Sequence, residues 1–223
     1  MLPRFRKFLR FRVSNKNTAA KAYHFFVMNR QKKAYNSLYC CENQLILPIV
    51  ETFNDDDMLK KVDINEVKKS ATKLIGKDWM LITAGEPDSC NTMTASWGGF
   101  GELWNMPVVM IFIRPSRYTY SFVEKEDYFT VSFFEEKFRS TLQLCGTVSG
   151  RKVEKIKEAG LTPILSEHGS TYFGEAKLVC ECRKIYFNDI NPNNFLEEKI
   201  KKLYPHEDYH RMFIGEIVNT YMK

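Results

Sequence analysis

Between Trp79 and Phe134 the chain carries a succession of short apolar runs, Trp79–Ala84, Asn91–Trp97, Pro107–Ile113 and Tyr128–Phe134, each of strand length and bounded by turn or helix-start residues. Gly85-Glu86-Pro87-Asp88-Ser89 separates the first two, and Thr92, Thr94 and Ser96 alternate along the second, so the pair reads as a hairpin. Pro107–Ile113, rich in Val and Ile, reads as a strand buried on both faces. Further on, Thr171–Phe187 reads as one long β run and Arg211–Tyr221 as a closing strand. Helical patterns fall between them. Asp63 is the N-cap candidate of an opening helix that reaches Lys77, Ser116 that of a helix over Tyr118–Glu124, and Ser149 that of one over Val153–Ala159 ended by Gly160. Glu135–Leu142 and Phe195–Leu203 also read as helical. Strands and helices do not alternate regularly, and neither G-x-G-x-x-G after a strand nor G-x-x-x-x-G-K-[ST] occurs, which disfavours a doubly wound sheet. Hairpins interrupted by short helices predict a mainly β chain (α+β) folded as a closed or partly split antiparallel barrel.

A chain of 223 residues can bury one sizeable core. Its longest apolar run, Met106–Ile113, falls far short of the ~20 residues of a spanning helix, so no membrane is expected. The net charge of +6 is uneven: residues 1–41 hold ten Lys or Arg and no acid, leaving 23 basic against 27 acidic residues, a net of −4, in the remainder. That asymmetry sets the expected division, a basic, poorly ordered extension over 1–57 and a globular domain over 58–223. Base-reading elements are absent, so nucleic acid is not the expected partner. Six cysteines without a disulfide framework fit a reducing cytoplasm. Cys180-x-Cys182 lacks a second pair for zinc, and no metal site is expected.

Two blocks carry the chemistry. Asn91-Thr92-Met93-Thr94-Ala95-Ser96-Trp97-Gly98-Gly99 sets small hydroxyl residues beside glycines, so backbone N–H and C=O groups can approach a flat heteroaromatic edge. The same pattern also suits a Thr-rich barrel hairpin, with Trp97 filling the barrel mouth. Arg114-Pro115-Ser116-Arg117-Tyr118-Thr119 sets two guanidinium groups at a helix start, a natural phosphate cradle. The competing reading of Arg117 is a surface charge paired with Glu124 or another acid. His210 and Arg151 have bland readings too, as a surface histidine after a turn and as a first-turn residue.

With Cys145-Gly146-Thr147-x-Ser149-Gly150-Arg151 and His210-x-x-x-x-Gly215-Glu216, these blocks, in this order, resemble the flavin reductase-like family of FMN-binding split barrels, especially its flavoredoxin-like branch. The likeness spans about Lys61–Tyr221. It implies an FMN-dependent oxidoreductase in which Asn91, Thr92, Met93, Thr94, Ala95, Ser96 and Trp97 hold the isoalloxazine ring. Arg114, Ser116, Arg117, Tyr118 and Thr119 then form the phosphate turn, Arg151 stands at the pocket mouth, and His210 lies near a nicotinamide. NADH or NADPH would reduce the flavin, and reduced FMN would pass electrons to an unknown acceptor. The alternative is a flavoredoxin-type electron carrier without its own nicotinamide site. Split barrels of this type imply a homodimer whose partner completes the pocket.

Overall fold

The computed structural model describes residues 58–223 throughout. Before them it describes only the backbone of three short strands, β1 (Arg10–Arg12), β2 (Tyr39–Cys41) and β3 (Gln44–Ile46), paired antiparallel in the order β1-β3-β2. The chain divides into two compact units, Met1–Asp56 and Asp57–Lys223. The reading of 1–57 as a poorly ordered extension falls outside the described residues.

The second unit opens with β4 (Lys60–Val62), a 3-10 turn at Ile64–Glu66, and α1 (Ala71–Lys73), which widens into a π turn over Leu74–Asp78. Four strands follow: β5 (Met80–Ala84), β6 (Asn91–Ala95), β7 (Gly98–Leu103) and β8 (Met106–Ile113). Then come α2 (Tyr118–Lys125), β9 (Tyr128–Phe133), α3 (Arg139–Thr147) and α4 (Lys155–Glu158). The hairpin β10 (Pro163–Leu165) and β11 (Thr171–Phe173) precedes the two longest strands, β12 (Leu178–Asp189) and β13 (Arg211–Met222), which are separated by α5 (Glu198–Lys201).

Eight strands form one antiparallel sheet in the order β6-β5-β9-β12-β13-β8-β7, with β4 also on β13. β12 and β13 pair over almost their whole length, with register breaks at Glu181/Cys182 and Lys184/Tyr186. Such bulges add bend and right-handed twist. The two ends of the sheet order, β6 and β7, are consecutive in sequence, yet they do not pair. The sheet therefore curls until its ends lie beside each other and leaves a seam between them. Phe100 on β7 packs across the interior on Phe133 of β9, ring centres 6.0 Å apart. Met80, Ile82, Val109, Ile111, Phe129, Val131, Cys180, Cys182 and Phe213 fill that interior, each large apolar side chain contributing about 1.5 to 3 kcal/mol of transfer free energy. A second apolar layer packs Leu142 and Cys145 of α3, Leu161 and Phe173 on Leu81 and Val179 from the outer sheet face. This sandwiching is why β5 is buried along its whole length. Burial pushes the Cys180 thiol up to about 12 and that of Cys145 up to about 11, so both are protonated at neutral pH.

The mainly β, split-barrel class agrees with the sequence, but several elements differ. Asp63 caps only one 3-10 turn, accepting from the Asn65 amide at 2.8 Å, while Glu66 accepts from the Asp63 amide. Val67 is extended, and Ser70 caps α1 afresh, so the expected single opening helix is broken where two polar caps compete for the backbone. Pro107–Ile113 is fully buried on one face, at Val109, Ile111 and Ile113, whereas on the other Val108 is buried but Met110 and Phe112 are only partly covered. β7 itself was not anticipated: its glycines give no apolar alternation, and its turn uses Trp104 and Asn105, both at positive φ. Thr171–Phe187 is two strands, interrupted where the Glu175 carboxylate accepts from the Thr162 amide at 3.0 Å. Ser149 accepts from the Arg151 amide at 3.3 Å in a turn, and the helix starts only at Lys155.

Gly215 on β13 exists for packing. A Cβ there would lie 2.6 Å from Cζ of Phe129 and 2.8 Å from Cβ of Cys182. Replacing Gly215 with Ala therefore overpacks the barrel and should cost about 1 to 3 kcal/mol. Denaturant unfolding should show a lower midpoint at unchanged slope; an unchanged midpoint would show that the Phe129 ring has room to move.

Candidate functional site

The seam between β6 and β7 opens into a cavity of about 170 Å³, lined by Met93, Thr94, Ala95, Ser96, Trp97, Phe112, Arg114, Arg117 and His210. These residues come from the end of β6, the outer face of β8, the start of α2 and the start of β13. β6 pairs with β5 alone, so among the described residues its other edge has no ladder partner for its main-chain amides and carbonyls. α3 lies close over this strand: the Thr94 hydroxyl donates to the carbonyl of Leu142, and a Cβ on Gly146 would sit 3.2 Å from that of Thr94. Trp97, at the bend into β7, stands at the rim with 43% of its surface exposed.

The two arginines have different tasks. Arg114 forms an ion pair with Asp208, donates to the Leu203 carbonyl at 2.9 Å, and lies over the Tyr204 ring, 4.9 Å from its centre. Arg117 donates only to the Gly146 carbonyl, at 3.0 Å, and has no carboxylate partner among the described residues. Glu124, the acid considered for it, is bonded instead to Arg211 at 2.8 Å and to the Tyr120 hydroxyl at 3.1 Å. Arg117 is thus the cation at the cavity left open for an anion.

His210 is 9% exposed, its Nδ1 lies 2.9 Å from the Tyr204 hydroxyl, and its ring tilts against Trp97 at 5.1 Å. Burial, reinforced by Arg114 and Arg117 and opposed by Asp208, pushes its pKa down to about 4. It is neutral at physiological pH and buried beside aromatic rings, which removes the surface-histidine reading.

The remaining residues singled out from the sequence lie elsewhere. Asn91, Tyr118 and Arg151 line a separate, larger groove of about 1030 Å³. There the Arg151 guanidinium stacks over Tyr118 at 4.5 Å. Asn91 donates to the Thr119 hydroxyl at 2.6 Å, which makes buried Thr119 a support for Asn91. Thr92 is buried inside the hairpin, bonded to the Thr83 hydroxyl at 2.8 Å. Ser116 does not cap α2. Arg117 occupies the N-cap position, and the Ser116 hydroxyl donates towards Asp208 at 3.4 Å. The sequence reading missed Phe112, Tyr204 and Lys155. Phe112 is legible only once β8 is known to have an open face. Lys155 is buried and donates to the carbonyls of Cys145 and Val148, both at 3.3 Å, closing the C-terminal end of α3. Burial lowers its pKa, opposed by Cys145 and helped by Arg117. Among the described residues no cluster of His, Cys, Asp and Glu could hold a metal ion, and no helix is long and apolar enough to cross a membrane.

Comparison with known proteins identifies the family and the fold. The model of the flavin reductase like domain matches residues 73–223, and the chain belongs to that family. A search of curated proteins finds no match. Among solved structures, the flavoredoxin of Desulfovibrio vulgaris (Miyazaki F) is 25% identical with a TM-score of 0.51, the match covering 65% of this chain and 69% of the other. An FMN-binding protein from Thermus thermophilus is 19% identical with a TM-score of 0.53, covering 65% and 71%. The NADH:FAD oxidoreductase of Streptomyces globisporus C-1027 is 16% identical with a TM-score of 0.50, covering 64% and 73%. Each of these shares the fold.

The neutral His210 ties stability to pH. Its folded pKa lies below the unfolded value of about 6.5, so between pH 6.5 and about 4 the unfolded chain binds more protons and stability falls as pH falls. Unfolding at pH 7 and pH 5 should differ by up to about 2 kcal/mol from this residue, and His210→Asn should flatten that slope. An equal slope in the variant would assign the acid sensitivity to other groups.

Proposed function

We propose that the protein is an FMN-binding oxidoreductase, an NADH- or NADPH-dependent flavin reductase that hands electrons onward through reduced FMN. One observation carries the reading: a free strand edge, an unpaired arginine and a neutral histidine, drawn from distant parts of the chain, line one cavity. The residues fit the group. Main-chain groups at the end of β6, with Ser96 and Trp97, would hold the pyrimidine edge of the ring, and Arg117 with the first amides of α2 would hold the phosphate. Arg114 is already committed to Asp208 and would act by fixing the cavity wall. Bound FMN supplies hydride acceptance from a nicotinamide and electron transfer to an acceptor. The protein's own part is to exclude water with Trp97 and Phe112 and to offer neutral donors where charge develops on the ring.

The likeness to a flavoredoxin at 25% identity supports the second reading, an electron carrier without a nicotinamide site. Bleaching of the flavin absorption band near 450 nm on adding NADH or NADPH to the FMN complex is the expected result. A complex that reduces only with dithionite would favour the carrier.

A homodimer belongs to the same proposal. A cavity of about 170 Å³ is below the roughly 300 to 1,000 Å³ of small-molecule sites, and Trp97 stands open at its rim, so a second copy would supply the missing wall. Sedimentation should give a dimer; a monomer that holds FMN at full occupancy would remove the need for the partner. The division at residue 57 is tested by a chain starting at Met58, which should bind FMN as the full chain does. An insoluble or non-binding product would place the boundary elsewhere.

Arg117→Ala should weaken FMN by about 1.5 to 3 kcal/mol, the worth of a charge-assisted hydrogen bond, and leave riboflavin, which lacks the phosphate, nearly unaffected. Equal losses for the two ligands would assign Arg117 to the ring or to folding.

A further inference from the structure

Tyr204 lies outside every motif of the sequence, yet it is the residue that touches His210 most directly. It is 6% exposed and is held on three sides: Phe195 stacks on it at 5.9 Å, Tyr209 packs at 5.0 Å, and the Arg114 guanidinium covers its face at 4.9 Å. Arg114 in turn grips the segment that carries Tyr204, through the Leu203 carbonyl and the Asp208 carboxylate. The phenol can hardly turn, and its oxygen is fixed 2.9 Å from Nδ1 of His210.

We propose that Tyr204 is a positioning residue: its hydroxyl donates to Nδ1 of His210 and fixes the imidazole in the tautomer protonated at Nε2, so that His210 offers the cavity a neutral N–H donor and no acceptor.

Three observations support this direction. Among the described residues the hydroxyl has no other acceptor, and a phenol O–H is a stronger donor than a neutral imidazole N–H while the bare imidazole nitrogen is a stronger acceptor than a phenol oxygen, so the hydroxyl donates to Nδ1. The Arg114 cation over the ring makes the hydroxyl a better donor. Burial first, then Asp208 and Tyr209, nevertheless hold the phenol pKa above its ordinary value against Arg114, so the proton is retained. Secondly, His210 is neutral, facing Arg114 from the end of β8, Arg117 from the start of α2, and Asp208 and Tyr204 from the segment before β13. Only the two neutral tautomers therefore compete. Thirdly, among the described residues Nε2 has no hydrogen-bond partner, yet it is not sealed from solvent, and His210 lines the cavity. The free nitrogen is the one that a ligand can reach.

A neutral donor selects a carbonyl oxygen. The ring carbonyls of a flavin and the carboxamide of a nicotinamide both qualify, and this ligand role rests on the function proposed above; the tautomer does not. Long-range proton–nitrogen NMR on the flavin-free protein at pH 7, with His210 assigned by its loss in His210→Gln, should show an unprotonated Nδ1 and a protonated Nε2. Tyr204→Phe keeps the ring stack and should shift His210 towards a mixture of tautomers. The same variant should weaken FMN about threefold to tenfold if the flavin carbonyl is the acceptor, or raise the nicotinamide KM by that factor if the carboxamide is, the worth of one neutral hydrogen bond. A wild-type His210 protonated at Nδ1 would overturn the assignment without any variant. So would an unchanged tautomer in Tyr204→Phe; a shifted tautomer with both ligand constants unmoved would uphold the assignment and overturn the carbonyl-ligand role. Failure to bind any flavin would sink the flavin reading, while the NMR measurement would still decide the role of Tyr204.

Discussion

The long antiparallel pairing of β12 with β13 sets the course of every other strand. Each strand runs for twelve residues, far longer than its neighbours, and the two register breaks bend the pair. One flank receives β9, β5 and β6, and the other receives β8 and β7. Because the spine is bent, these flanks curl towards each other instead of extending as a flat sheet. Gly215 permits the bend to close on Phe129, and Gly98 lets β7 approach Met80 within a methyl's width. The seam at Ser96 and Trp97 is a consequence of that curl, and the cavity lies in the seam.

The electrostatics of the cavity follow from the same geometry. Arg114 leaves the end of β8 where the 203–208 segment passes, so its charge is satisfied by Asp208 and its plane by Tyr204. Arg117, three residues on, emerges on the other side of the turn against the end of α3 and meets only a carbonyl. One arginine braces the wall, and the other has no carboxylate partner among the described residues. His210, at the first turn out of that segment into β13, is kept neutral by burial among Trp97 and Tyr204.

The barrel class and most strands were legible in the sequence because apolar runs bounded by turn residues report strands directly. β7 was not, since a strand of glycines with an exposed edge carries no periodic signal and its turn places a tryptophan at positive φ. Met93–Trp97, Arg114, Arg117 and His210, distant in sequence, line one cavity. Sequence order could not separate residues that line the cavity from those that hold them, such as Thr92 and Thr119, which are spent on bonds to Thr83 and Asn91. Tyr204 was invisible for a related reason. Its partner is His210, six residues on, across a turn whose path only the Arg114–Asp208 pair reveals.

The central claim is that the seam cavity binds a flavin phosphate. Equilibrium titration of the purified full-length protein with FMN, followed by quenching of tryptophan fluorescence as Trp97 is covered and by the shifted flavin absorption band, tests it most directly. The account predicts saturable binding at one FMN per chain, or a preparation already yellow that releases FMN on denaturation. A colourless protein whose fluorescence and absorption show no saturation with FMN would contradict it.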